Sequence, residues 1–291
     1  MLATQVASEQ NKPELEEVVQ EIDDISSLPH VALRVMEVAN DPNSSAADLK
    51  TVLEADAALS VRILRCVNSS AYGLRTRVTD LQRAIAYLGL RQIRNLAMTA
   101  TVSELFKHEE EIGPYRRSQL WQHLVSVGIC ARLIAMRQKM ANFEEAFLAG
   151  LLHDIGIVLE DQHVHSAFVA VIRSLDQTMT LAEVERSQLG FDHTALGEKV
   201  AANWRFPDAV KAAIRNHHAS AGYRGADGDI VRCVDVANLI CTLKGIPSVG
   251  LKLVKISPSA LTGLSLKRED LAVLAVDLDR ELAASAGLFQ I

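Results

Sequence analysis

Nine histidines are scattered along this chain of 291 residues, and helical spacing selects a subset of them. His123 follows Leu120 by three residues and precedes Val127 by four, so on a helix it shares their inward face. His193 precedes Leu196, Gly197 and Val200 by three, four and seven, and His217 follows Ile214 by three and Val210 by seven. Asp235 lies four residues from both Val231 and Leu239, where a carboxylate is costly to bury unless it is paired or coordinated. The centre of the pattern is Gly150-Leu-Leu-His153-Asp154-Ile-Gly156. Neighbouring helical residues point about 100° apart, so one helix end can offer an imidazole to one side of a metal and a carboxylate to the middle of a cluster. Asp154 has two oxygens and can bridge two ions. Gly150, four residues earlier, leaves space on that face for facing helices. Imidazole with carboxylate, and no thiolate, suits zinc, manganese, iron or nickel rather than a structural zinc site.

The elements that must hold these groups read as helices almost throughout. Val31, Val35 and Val38 form an apolar stripe that stops at Asn40-Asp41-Pro42. Ser45 to Asp48, Thr79 to Gln82 and Thr180 to Glu183 have the spacing of N-terminal caps, each just ahead of an apolar stripe. Leu120, Leu124, Val127, Ala131 and Ile134 mark a long helix. Phe168 to Ile172 is β-branched enough for a strand in isolation, but no alternating partner or hairpin turn lies nearby. The fold class is therefore all-α.

Boundaries fall at three places. Residues 1–24 read as an acidic tail or loosely docked helix, and the break ending in Gly113-Pro114 separates an N-terminal helical half, 25–112, from a half carrying the metal ligands, 113–245. Residues 246–291 form a C-terminal loop and helix, the helix beginning near Glu269; Ala219 to Asp229 is a loop.

With 49% hydrophobic and 23% charged residues, the chain is not globally disordered, and at this length it needs neither disulfides nor a metal merely to fold. A metal here is expected to be functional. Without a run of 18 apolar residues or a basic, apolar leader, a membrane span and a secretory signal are not expected, and a cytoplasmic location is. Cys66, Cys130, Cys233 and Cys241 lack metal-site spacing and read as reduced core thiols. The first 24 residues hold seven acids against Lys12, which accounts for the whole net charge of −6. Residues 62–94 hold seven arginines against Asp80. That Arg-rich stretch reads as a solvated or protein-facing surface, on which the acidic segment is expected to dock; nucleic acid is not an expected partner. His163 and His165, two apart, cannot share a helix face and read as solvated or local; Trp121 and Trp204 read as core, and Asn68-Ser69-Ser70 with Tyr72-Gly73 as a helix end and turn.

The series His123, His153-Asp154, His193, His217-His218, Asp235 resembles the HD superfamily of metal-dependent phosphohydrolases, and its particular pattern the HDOD branch. Upstream, Leu28-Pro29, Asp56, Leu64, Asn68-Ser69, Tyr72-Gly73, Ala84-Ile85 and Leu88-Gly89 are similar to the N-terminal half of HDOD proteins. So are Gly190-Phe-Asp192-His193 with Gly197, and Trp204 to Pro207; the likeness covers about residues 25 to 245. It implies a multi-helical HD-type bundle with an additional N-terminal helical region. It also implies one metal held by His123, His153, Asp154 and Asp235, with Asp154 bridging to a second ion held by His193, His217 and His218. Two such divalent ions would draw a phosphate and lower the pKa of a bridging water.

Active relatives commonly carry a lysine after His-Asp-x-Gly, where this chain has Ile157, and an aliphatic side chain cannot stabilise developing negative charge. Nor does the segment after His217-His218 carry the signature of the HD-GYP phosphodiesterases. The resemblance thus implies two alternatives: a bacterial signalling regulatory or output protein with a mono- or dinuclear site and signalling proteins as partners, or an active phosphohydrolase on a nucleotide or cyclic dinucleotide, with Asp154 as its catalytic bridging ligand. A phosphate-containing ligand and a homo-oligomer are compatible with both.

Overall fold

The computed structural model describes residues 12–25, 30–68, 76–176, 178–253 and 258–286. The expected all-α architecture is what forms. The N-terminal helices are α1 (Leu15–Ile25), α2 (His30–Asn40), α3 (Ala46–Glu54), α4 (Ala57–Val67), α5 (Leu81–Leu88) and α6 (Leu90–Val102). A two-stranded antiparallel hairpin, β1 (Glu111–Ile112) and β2 (Tyr115–Arg116), turns at Gly113-Pro114, where the helical pattern breaks. Then come α7 (Arg117–Arg137), α8 (Phe143–Leu152), α9 (Ile155–His163), α10 (His165–Ser174), α11 (Leu181–Gln188), α12 (His193–Asn203) and α13 (Asp208–Asn216). A short 3-10 turn at Ser220–Gly222 leads to α14 (Gly228–Leu243), α15 (Pro258–Gly263) and α16 (Arg268–Ala284). No described helix is long and apolar enough by itself to cross a membrane.

Local sequence explains most of these limits. Ser45 and Thr180 each cap a helix in a reciprocal capping box, with Asp48 and Glu183 reaching back to the cap backbone. At the third expected cap the register differs by one: Asp80, not Thr79, accepts from the Arg83 amide at 2.8 Å, because a carboxylate satisfies and neutralises a helix start better than a hydroxyl. Phe168 to Ile172 is helical within α10, where Phe168, Val171 and Ile172 fall on one buried face. The stretch expected to be a C-terminal loop contains α15, and the last helix starts at Arg268. Ser69, Ser70, Tyr72 and Gly73 lie outside the described residues, as do Leu28 and Pro29.

α7 is the axis of the region that holds the candidate ligands. It packs along α8, with α14 and α16 on its other sides, while α6 joins α8 to the N-terminal helices. Trp121 stacks near Phe106 with ring centroids 5.2 Å apart, Trp204 is buried, and all four cysteines are buried thiols. Among the described residues, the α1 part of the acidic segment does not dock on the Arg-rich stretch. α1 packs on α9 and α12, burying Val18, Val19 and Ile22, and ties its rim through Glu16 to Lys199 and Asp23 to Asn203. The apolar stripe of α1 needs an apolar partner, and that requirement outweighs exposed charge pairing.

Candidate metal centre

Helix ends deliver the chemistry. His123 projects from the middle of α7, His153 closes the C-terminus of α8, and Asp154 is the first residue before α9. His153 and Asp154 therefore occupy the junction between two helices rather than adjacent positions on one. His193 is the first residue of α12, behind an N-cap at Asp192, and His217 closes the C-terminus of α13 with His218 beside it.

Glycines let these ends converge. A Cβ on Gly150 would meet the Gly128 backbone at 2.8 Å, so α7 and α8 touch along their backbones and bring His123 to His153. A Cβ on Gly156 would overlap the His193 carbonyl, lying 2.7 Å from its carbon, so the start of α9 rests directly on the start of α12. Asp154 reaches His193 for that reason.

Two groups of donors share Asp154. On the Oδ2 side, His123 Nε2 and His153 Nε2 lie 3.7 and 3.3 Å from the carboxylate oxygen and 3.3 Å from each other. On the Oδ1 side, His193 Nε2 and His217 Nε2 lie 3.4 and 3.1 Å away, and His218 Nε2 is 3.1 Å from His193 Nε2. Donors bound at about 2.1 Å to one ion stand about 3.0–3.4 Å apart in octahedral or tetrahedral geometry, so all of these separations except the 3.7 Å from His123 to Asp154 are those of ligand edges.

The remaining ring nitrogens set the tautomers. His123 Nδ1 faces the Ile246 carbonyl at 2.7 Å, His153 Nδ1 the Gly150 carbonyl at 2.8 Å and His217 Nδ1 the Ile214 carbonyl at 3.0 Å. A carbonyl can only accept, so each Nδ1 carries the proton and each Nε2 presents a lone pair toward Asp154. Asp154 Oδ1 and His217 Nε2 are both buried and have no hydrogen-bond partner. Two lone pairs 3.1 Å apart in a buried site need a cation or a proton between them.

The electrostatics agree. Burial opposes ionisation of Asp154, and positive charge placed on His153, His193 and His217 holds its carboxyl well below the usual range; with the rings neutral, a cation between them and Asp154 takes that part. Burial and then His153 push His123 down to about 4, keeping its lone pair free, and burial also lowers His217. His193 is the exception: against the effect of burial, Glu185 and Asp154 hold it well above an ordinary histidine, so a proton competes with a metal there.

Sequence reasoning missed the two acids behind His193. Glu185 on α11 is fully buried; its Oε2 accepts from the His193 amide at 2.9 Å and from His193 Nδ1 at 2.6 Å. Glu160 on α9 is also fully buried, and burial followed by the nearby Glu185 charge raises it well above a normal glutamate, so it stays protonated. The available signal was Glu185 between Val184 and Leu189 on an amphipathic helix eight residues ahead of His193.

Six of the seven expected ligands fall in these two donor groups. Asp235 belongs to neither donor group; Ser220 Oγ donates to its carboxylate, and burial pushes it up to about 6. Ile157 is fully buried and belongs to the hydrophobic core. Of the other pair, His165 is half exposed beside Asp161, and His163 is buried under α1.

Fold and donor set together define an all-helical protein of HD type. The chain matches the HDOD domain over residues 25–220, more than half its length, and belongs to that family. It is similar to an HDOD domain protein of unknown function from Geobacter sulfurreducens, 26% identical, with a TM-score of 0.75 over 94% of this chain and 96% of that one. A protein from Marinobacter aquaeolei VT8 named for signal transduction is 25% identical, with a TM-score of 0.78 over 97% of this chain and 62% of its own. An uncharacterized protein of Treponema pallidum (strain Nichols) is 26% identical over 209 residues, which are 69% of this chain; the chain spans 39% of that relative's length.

Proposed function

We propose that the protein is a bacterial signalling regulatory or output module of HDOD type, built around a divalent metal centre and acting through protein partners. The observation that carries the metal is the pair of unpartnered lone pairs on Asp154 Oδ1 and His217 Nε2. His123 and His153 would hold one ion with Asp154, and His193, His217 and His218 a second; the ions are iron, manganese, nickel or zinc. When bound, such ions supply Lewis acidity. The chain's own residues fix imidazole tautomers, hold Asp154 ionised and keep solvent from the donors: His123, His153, Asp154, His193 and His217 are each at most 1% exposed, and His218 alone among the six stands open. That closure, together with Ile157 in the lysine position, supports regulation over turnover, since a phosphodiester needs access to the ions. The Marinobacter relative's name supports the signalling assignment.

The test is metal-loaded protein assayed on phosphomonoesters, nucleotides and cyclic dinucleotides with manganese or iron supplied. Saturated metal without turnover is the expected result. Turnover that disappears in Asp154→Ala would establish a phosphohydrolase instead.

A further inference from the structure

The Arg-rich stretch is not one surface. Arg62 pairs with Glu104, Arg83 with Asp80 at 3.5 Å, and Arg91 and Arg94 with Glu145 at 3.8 and 3.5 Å; Arg94 is fully buried. Arg75 lies outside the described residues. Arg65 and Arg77 are left, and neither has a carboxylate partner among the described residues. Both line the same cleft of about 840 Å³, between the last turn of α4 and residues 76–79, with Val61, Leu64, Thr76 and Thr79 and no acid. Asn68 fixes its two walls: its Nδ2 donates to the Val78 carbonyl at 2.8 Å and its Oδ1 accepts from the Val78 amide at 2.8 Å. The two described walls are therefore tied to each other by the chain itself.

The complementary charge is on the same chain. Glu14, one residue ahead of α1, and Glu17 and Glu21 within it recur at i, i+3 and i+7; all three are exposed and flank the face that buries Val18, Val19 and Ile22. Glu14 and Glu17 have no ion pair among the described residues, and the nearest cationic partner of Glu21 is His163 at 4.0 Å. No ion pair among the described residues joins this face to Arg65 or Arg77. Outside the first 24 residues the chain has equal numbers of acidic and basic residues, so the α1 face belongs to the segment that carries the entire charge excess.

We propose that the Arg65–Arg77 cleft receives the acidic α1 face of a second copy of this chain, giving a salt-sensitive self-association. Two different patches that complement each other between copies make a heterologous contact, and exposed charge pairs make it weak and readily screened. Sedimentation velocity of the full chain over a concentration series, at about 25 mM and about 300 mM salt, reads it directly.

Wild type is expected to associate at low salt and to dissociate at high salt. Arg65→Glu/Arg77→Glu alone and Glu14→Lys/Glu17→Lys alone are expected to stay monomeric, each placing like charges in contact. An equimolar mixture of the two variants is expected to associate again, because each then offers the other opposite charge. Circular dichroism melting identical to wild type checks that both variants are folded. A wild type that is monomeric at low salt, variants that associate as wild type does, or a mixture that stays monomeric would each overturn the proposal, as would binding of an unrelated acidic protein to the cleft in preference to a second copy.

Discussion

Gly156→Ala sets two general expectations against each other. Alanine exceeds glycine in helix propensity by about 1 kcal/mol, so an isolated α9 would be stabilised. In the folded protein the new Cβ would lie 2.7 Å from the His193 carbonyl carbon and 2.9 Å from its Cα. Carbon atoms in contact sit about 3.5–4.0 Å apart, so α9 and α12 must separate by about 1 Å. Backbone on both sides offers no flexible end to yield, which places the cost at or above the upper part of the usual overpacking range of about 1–3 kcal/mol. The net loss is about 2 kcal/mol, a fall in Tm of about 4–8 °C. The same 1 Å displaces His193 from Asp154, far more than the ~0.2 Å a metal site tolerates, while His123 and His153 keep their places. Calorimetry with a parallel metal titration should therefore show a lower Tm and loss of the second donor group only. Gly222→Ala is the control, since nothing lies within 4 Å of its added Cβ. A Gly156→Ala protein that melts at or above wild type and binds metal identically would refute the backbone-contact reasoning.

Glu185→Gln removes the carboxylate that orients His193 and should weaken metal binding about 10- to 100-fold in a chelator competition, with little change in the fold. Asp235→Asn should leave metal content unchanged; a loss would make Asp235 a ligand. Because burial raises the folded Asp235 pKa to about 6 above its ordinary 3.8, the native state binds the extra proton. Its contribution to stability is therefore present at low pH and lost as pH rises to about 6, a slope that Asp235→Asn should abolish in chemical denaturation series. His163 has the opposite sign: burial lowers it below 6.5, so its neutral form stabilises α1 docking at higher pH. That stability falls as pH drops below 6.5, and His163→Phe should flatten the dependence measured by thermal melts.

How legible these features were depended on how far apart in sequence their causes lie. The capping boxes at Ser45 and Thr180 are three-residue patterns, and they form as written. The inward histidines were legible because helical periodicity reports which face is buried. Whether two buried faces meet is a tertiary matter, so Asp235 could satisfy the same periodicity and still bond to Ser220 outside both donor groups. Glu160 and Glu185 were invisible because an acid in an apolar stripe reads as a local defect until its partner, from another helix, is known. α1 was misplaced for a related reason: charge counting matched it to the arginines, while Val18, Val19 and Ile22 chose α9 and α12.

The central claim is that Asp154 joins two donor groups around metal. Metal content by mass spectrometry on purified wild type, His153→Ala, His217→Ala and Asp154→Ala tests it most directly, with thermal stability measured with and without added metal. Bound metal and metal-dependent stabilisation in wild type, partial loss in each histidine variant and complete loss in Asp154→Ala are the predicted results. Wild type with no more metal than Asp154→Ala, and no stabilisation on adding it, would contradict the account.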